Sequence, residues 1–289
     1  VSDALQQAIA WRDRYVFDIE RFVREAFHFP NAQEQAEGKD IYPWQKIVMG
    51  WYDARERRIS VKSGHGVGKT TLLAWMMWHM QLVRFPMKTA VTAPTEKQLF
   101  NAMWAEYKSW GERLDPALRK TIEVTSDRSE LKAAASDSFI SIATARADQP
   151  EAIAGVHRND GSVLILVDEA SGVAEKVFET GQGSMSGPNA MTVLTGNPIR
   201  GQGYFFDTHG KNADIWKTLT VSCLDLPKSG IVDDYMEQVA RSYGRDSNVF
   251  RVRVLGEFPV RDDDTVIPFE EVEPALTRDI VVMKTAPVV

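Results

Sequence analysis

Eight consecutive residues, Ser63-Gly64-His65-Gly66-Val67-Gly68-Lys69-Thr70, combine three glycines with a closing Lys-Thr pair. Glycines let successive backbone N–H groups curl around an anion, and a helix starting at the end of such a loop adds partial positive charge. In that setting Lys69 reaches the β- and γ-phosphates of a nucleotide and the Thr70 hydroxyl holds Mg2+. The usual pattern opens with glycine; Ser63 stands there instead, leaving Gly64 and Gly66 to supply flexibility. Taken alone, the stretch also reads as a glycine-rich strand-to-helix turn with an exposed lysine. A second constellation weighs against that reading. Val163-Leu164-Ile165-Leu166-Val167 is a continuous apolar run closed by Asp168-Glu169. Asp168 is then expected in the Mg2+ shell, and Glu169 is placed to orient and deprotonate an attacking water. A switch that only binds nucleotide has no need of the second carboxylate, so the pair points to hydrolysis. A third run, Met191-Thr192-Val193-Leu194, ends in Thr195-Gly196-Asn197-Pro198. Its short polar residues either sense the γ-phosphate or simply form a Gly-Asn-Pro turn.

These residues need elements to carry them. Arg57–Lys62 has strand character, and Thr70–Phe85 is apolar almost all round, as for a helix buried on several faces. Further strands are expected at Lys88–Ala93, Phe139–Thr144, Ser162–Asp168, Ala190–Gly196 and Lys217–Ser222. Helices are expected at Glu96–Trp110, Val173–Met185 and Asp233 to about Tyr243. Such alternation predicts an α/β fold, a mostly parallel sheet with helices on both faces. In a parallel sheet the loop, Asp168-Glu169 and Thr195-Gly196-Asn197 all leave their strands at one edge, where ligands bind. Residues 3–29 show helical spacing, closed by Pro30 and the polar Gln33–Asp40 run. Thr121–Ala135 reads as a hairpin or insertion. Gln45, among the aromatic residues of Tyr42-Pro43-Trp44, either hydrogen-bonds an adenine edge or opens a helix after Pro43. The acidic Asp262-Asp263-Asp264 run reads as a solvated turn rather than a metal site.

The 289 residues are 44% hydrophobic and 26% charged, as in globular proteins, with a net charge of −6. No global positive field therefore draws the chain to nucleic acid or an anionic membrane; local clusters such as Arg55, Arg57 and Arg58 are candidates, though they read first as a solvated face. A single cysteine, Cys223, rules out an internal disulfide and a cysteine-rich zinc site. No secretory signal or membrane span is expected.

In order along the chain, Tyr42-Pro43-Trp44-Gln45, the Ser63–Thr70 loop, Thr92-Ala93-Pro94-Thr95, Asp168-Glu169, Thr195-Gly196-Asn197-Pro198 and Val254-Leu255-Gly256-Glu257-Phe258 resemble the large terminase subunit of tailed bacteriophages. The resemblance implies a RecA-like (ASCE) P-loop ATPase core with a small lid, which drives double-stranded DNA into a procapsid. It assigns Gln45 to the adenine and Thr195, Gly196 and Asn197 to coupling. ATP and Mg2+ are the implied cofactors, bound by Gln45, by Ser63 to Thr71 (Ser63, Gly64, His65, Gly66, Val67, Gly68, Lys69, Thr70, Thr71), by Asp168 and by the coupling motif. Portal protein, small terminase subunit and DNA are the implied partners, with a homo-oligomeric ring on the portal in the host cytoplasm. The expected division is a helical lead-in 1–40, a core 41–210, a lid or linker 211–260, and a linker 261–289. Ile280–Met283 would begin the family's C-terminal nuclease domain, whose activity is not expected of this chain. Many terminases carry an arginine where this chain has Gly64. Another residue must then stabilise charge in phosphoryl transfer, in cis or from an adjacent subunit: Arg146 in preference to Arg158, each of which also reads as a surface arginine paired with Asp148 or Glu151. A DEAD-like helicase, which shares the glutamine, the loop and Asp168-Glu169-Ala170, and a non-catalytic assembly scaffold are the competing readings.

Overall fold

Every residue from Val163 to Val167 is apolar, so both faces of that strand must be covered. In the computed structural model, which describes residues 3–134, 137–148, 150–227 and 230–260, the run lies inside an eight-stranded sheet. The strands are β1 (Arg58–Ser63), β2 (Met87–Thr92), β3 (Ile122–Val124), β4 (Arg128–Leu131), β5 (Phe139–Ile142), β6 (Ser162–Val167), β7 (Ala190–Gly196) and β8 (Lys217–Val221). Their order is β3-β4-β5-β2-β6-β7-β1-β8. From β5 to β8 all neighbours are parallel, whereas β3 and β4 add an antiparallel edge. That hairpin is what Thr121–Leu131 becomes. β7 lies between β1 and β6, so the strand ending in Thr195-Gly196 separates the phosphate-loop strand from the Asp168 strand.

Strand alternation divides the core in two. Leu164 and Leu166 face the larger apolar cluster, while Val163, Ile165 and Val167 face the other. Over the first face lie helices α1 (Asp3–Tyr15), α2 (Ile19–Ala26), α4 (Pro43–Asp53) and α5 (Lys69–Val83), while the short α3 (Ala32–Ala36) buries no residue. Residues 71–83 of α5 are buried save for half-buried Thr71, the outcome its unbroken apolar surface implies. Helix Glu175–Ser186 covers the second face, with Val177 and Phe178 in its cluster.

One sequence expectation is corrected. The segment expected as one helix from Glu96 to Trp110 is wound wider, as a π-helix, over Lys97–Trp104 and becomes α-helical over Ala105–Gly111. This brings Trp104 flat onto Tyr107, which stacks in turn on Trp78 with centroids 4.8 and 4.3 Å apart. Ile19, Phe22, Val23 and Phe27 belong to the same core as α5, and β8 pairs in parallel with β1. The lead-in and the start of the expected lid are thus parts of one packed unit. Asp262-Asp263-Asp264 and Ile280–Met283 lie outside the described residues.

Candidate active site

Because β1, β6 and β7 run parallel, Ser63, Val167 and Gly196 end at one edge, and the residues that follow them converge there. A cleft of about 430 Å³ opens at that place, lined by His65 to Thr71, Glu106, Glu169 and Asn197. Lys69 and Thr70 open α5, so the helix's free N–H groups face the cleft. Behind the loop, Trp44 Nε1 donates to Val67 O at 3.1 Å and Gln45 Nε2 donates to Gly68 O at 3.0 Å. In a trans peptide the N–H points opposite to the carbonyl. Drawing these two carbonyls toward α4 therefore turns the N–H groups of Gly68 and Lys69 the other way, as an anion cradle requires.

Lys69 is buried. Its Nζ donates to Ser63 Oγ (3.2 Å), Gly64 O (3.4 Å) and Asn197 Oδ1 (3.4 Å), and lies 3.8 Å from Glu169 Oε1. Asp168 accepts from Thr195 Oγ1 at 2.7 Å and from the Glu169 N–H at 3.0 Å, and its other oxygen lies 3.5 Å from Thr70 Oγ1. Burial pushes the Asp168 carboxyl above its ordinary range, and the adjacent Glu169 charge pushes it the same way. Glu169 itself sits in the left-handed region, with φ 50°. A glutamate is held there only when its surroundings dictate it, a common state of functional residues. One such constraint is Asn197 N, which donates to Glu169 Oε2 at 3.2 Å. Asn197 Nδ2 also donates to Ser63 O at 2.7 Å. Asn197 thus touches the loop, the lysine and the glutamate at once. Gly196 permits this, because a Cβ there would lie 2.9 Å from Ala170 N.

The expected site residues are sorted by this geometry. His65, Gly66, Val67, Gly68, Lys69, Thr70, Thr71, Glu169 and Asn197 line the cleft; Asp168 and Thr195 support it from beneath. Ser63 and Gly64 form its floor. Gln45 does not line it: only 2% exposed, its amide spans Tyr42 N–H and Gly68 O, so in this structure it braces the loop from behind. Arg146 is at the nucleotide edge of the sheet, just past β5, but it is half exposed, bonded to Glu96 at 2.8 Å, and away from its own chain's cleft. Arg158 also lies away from its own chain's cleft. It packs on Gly161 and Pro86, where β2 and β6 begin, at the opposite edge.

Two features escape the sequence. Glu106 enters the cleft from helix Ala105–Gly111 with no local pattern to announce it. The loop is also clamped by residues 221–258. Gly64 N donates to Val221 O, His65 N to Arg253 O at 2.8 Å, and His65 Nδ1 meets Tyr235 OH at 2.9 Å. Lys62 on β1 pairs with Glu257 and lies over the Phe258 ring. This clamp accounts for the Leu255-Gly256-Glu257-Phe258 run.

Comparison with known proteins agrees with this architecture. The family model described as terminase large subunit, T4likevirus-type, N-terminal, matches residues 62–274. The probable terminase large subunit of Enterobacteria phage P7 is 29% identical over 237 residues, 78% of this chain and 47% of the relative. The chain thus spans about half the length of that relative. Among solved structures, the large terminase of a thermophilic bacteriophage is 15% identical with a TM-score of 0.56, over 77% of this chain and 54% of the other. The ATPase domain of the Thermus phage P74-26 large terminase is likewise 15% identical, with a TM-score of 0.55 over 79% of this chain and 98% of the domain. The first of these terminases has also been solved with ADP, and that structure matches with a TM-score of 0.56. The fold is therefore the RecA-like α/β fold of terminase ATPase domains. Since the family model covers most of its length, the chain belongs to the T4-like-virus type of terminase large subunit, N-terminal family.

Proposed function

We propose that this chain hydrolyses ATP and couples the reaction to movement of double-stranded DNA into a procapsid. The observation that carries the reading is the convergence of Lys69, Thr70, Asp168 and Glu169 on one cleft at the carboxyl edge of the sheet. The loop N–H groups and Lys69 hold the β- and γ-phosphates, Lys69 exchanging Ser63 and Asn197 for phosphate oxygens. Glu169 accepts a proton from a water whose oxygen attacks the γ-phosphorus. The bond to the β–γ bridging oxygen breaks, its electron pair goes to ADP, and inorganic phosphate leaves. Asn197, bonded to loop, lysine and glutamate, registers loss of the γ-phosphate, with Thr195 and Gly196 positioning it.

Thr70 and Asp168 fit a Mg2+ ion: two hard oxygens lie 3.5 Å apart, and the buried carboxylate gains from a cation. When bound, Mg2+ would neutralise charge on the β- and γ-phosphates. Gln45 is assigned to the adenine through the same segment that braces Gly68. Portal protein, small terminase subunit and a homo-oligomeric ring on the portal, in the host cytoplasm, complete the reading, which rests on family membership. No helix among the described residues is long and apolar enough to cross a membrane.

Steady-state phosphate release and nucleotide binding test the assignment. Lys69→Ala is expected to weaken ATP binding about tenfold or more, the loss of a charged contact. Glu169→Gln is expected to bind ATP while losing about 10²–10⁴ in turnover, because an amide cannot take the water's proton. Parent-like turnover in Glu169→Gln removes the base from Glu169.

A further inference from the structure

Among the described residues, Glu106 is the one lining the cleft that comes from outside the loop, α5 and the ends of β6 and β7. It is held firmly: Oε1 accepts from Thr71 Oγ1 at 2.7 Å and from Trp110 Nε1 at 2.9 Å. Trp110 is anchored in turn against Trp75, Phe27 and Phe29. Among the described residues the second oxygen, Oε2, has no hydrogen-bond partner. A fixed carboxylate in a cleft built for phosphate repels the ligand's charge unless it meets hydrogen-bond donors. A nucleotide offers few donors: the ribose hydroxyls and, on adenine, the exocyclic amine.

The two ends of the cleft choose between them. Glu169, Asn197 and Lys69 define the γ-phosphate end. Glu106 is tied to Thr71, one residue beyond Thr70 along α5. A triphosphate laid along the loop presents its α-phosphate toward that end, and the sugar is the first group attached to it. The base is met by the Tyr42–Gln45 segment, which abuts Gly68.

We propose that Glu106 accepts a hydrogen bond from a ribose hydroxyl of the bound nucleotide and so makes the site selective for ribonucleotides over deoxyribonucleotides. The proposal rests on the nucleotide reading above. For a motor working beside DNA metabolism, such a carboxylate would separate fuel from DNA precursors.

Calorimetric titration of the full chain with ADP, 2′-deoxy-ADP, 3′-deoxy-ADP and inosine diphosphate tests it. The parent should bind ADP about 10-fold more tightly than the analogue lacking the hydroxyl that is read, the effect of one charged hydrogen bond. Glu106→Ala should narrow that gap to within about 2-fold. Glu106→Gln keeps Oε1 for Thr71 and Trp110 and serves should the alanine variant fail to fold; its preference should fall to about 3-fold. Equal binding of ADP and both deoxy analogues by the parent overturns the proposal while leaving the nucleotide reading intact. A preference undiminished in Glu106→Gln, or a Glu106-dependent loss with inosine diphosphate instead of the deoxy analogues, overturns it too. If the parent binds none of the four, the nucleotide reading fails and this one with it.

Discussion

Gly64 is a crowded residue. A Cβ there would come within 2.7 Å of Cys223 Sγ and Val254 O and 2.9 Å of Arg253 O. The sulfur can shift, but the two carbonyls belong to backbone whose Arg253 O already accepts from His65 N. The space an arginine would need after Ser63 is therefore filled by the 221–258 segment, and glycine is its consequence. Gly64→Arg should lift this segment from the loop and lower the unfolding free energy by about 1–3 kcal/mol, the range for overpacking. Urea titration measures it. Adding Cys223→Ala removes only the movable neighbour and should restore little of the loss. A midpoint for Gly64→Arg equal to the parent's would show that the clamp yields freely, and the reason offered here for glycine would fall.

At the scale of elements, α5 is the hub, and His79 near its middle shows how it is held. The ring is fully buried, with Nε2 at 2.8 Å from Tyr15 O of α1 and Nδ1 at 3.0 Å from Tyr52 OH of α4. A carbonyl can only accept, so Nε2 carries the proton and Nδ1 accepts from the tyrosine. Protonating Nδ1 would reverse that bond and place a positive charge inside an apolar shell. Burial, aided by the charge of Arg84, accordingly lowers the pKa of His79 to about 3. The folded pKa lies below the ordinary value of 6.5, so between these limits the unfolded chain binds more protons and stability rises with pH. Neutral His79 then contributes fully above pH 6.5, and its contribution is lost as pH falls toward 3. The slope per group is at most about 1.4 kcal/mol per pH unit. Replacing His79 by Gln, which cannot titrate, should lower stability at pH 7.5 and narrow its deficit relative to the parent at pH 5. Chemical denaturation at both values measures it; a deficit that stays constant with pH would rule out this linkage.

The whole molecule presents Arg146 where a neighbour could use it. Its partner Glu96 is 67% exposed in its side chain and Arg146 itself 50%, so their pair is a weak surface contact, easily exchanged. Because it lies at the nucleotide edge of the sheet yet outside its own cleft, Arg146 is proposed to act in trans. Hydrolysis should then rise faster than linearly with protein concentration. Mixing inactive Arg146→Ala with inactive Lys69→Ala should restore some turnover, since one variant keeps its loop and the other its arginine. Undiminished ATPase activity in Arg146→Ala at concentrations where the parent assembles would remove the residue from the mechanism.

Local chemistry made part of this molecule readable from sequence. The glycine loop, the apolar run closed by Asp168-Glu169 and the Thr195-Gly196-Asn197 turn each depend on neighbours a few residues away. All five strands expected after the loop appear within two residues of their expected bounds. Parallel pairing alone then requires the three motifs to share an edge. Tertiary packing decided what depends on distant residues. The widened turns at Lys97–Trp104 follow no single local signal, and they accompany the stacking of Trp104 and Trp78 on Tyr107. Glu106 reaches the cleft only because its helix packs on α5, and Arg158 is removed from it only because its loop returns to the far edge of the sheet. Gly64 looked like a source of flexibility, and only the approach of Arg253, Val254 and Cys223, far along the chain, shows that it answers to lack of space.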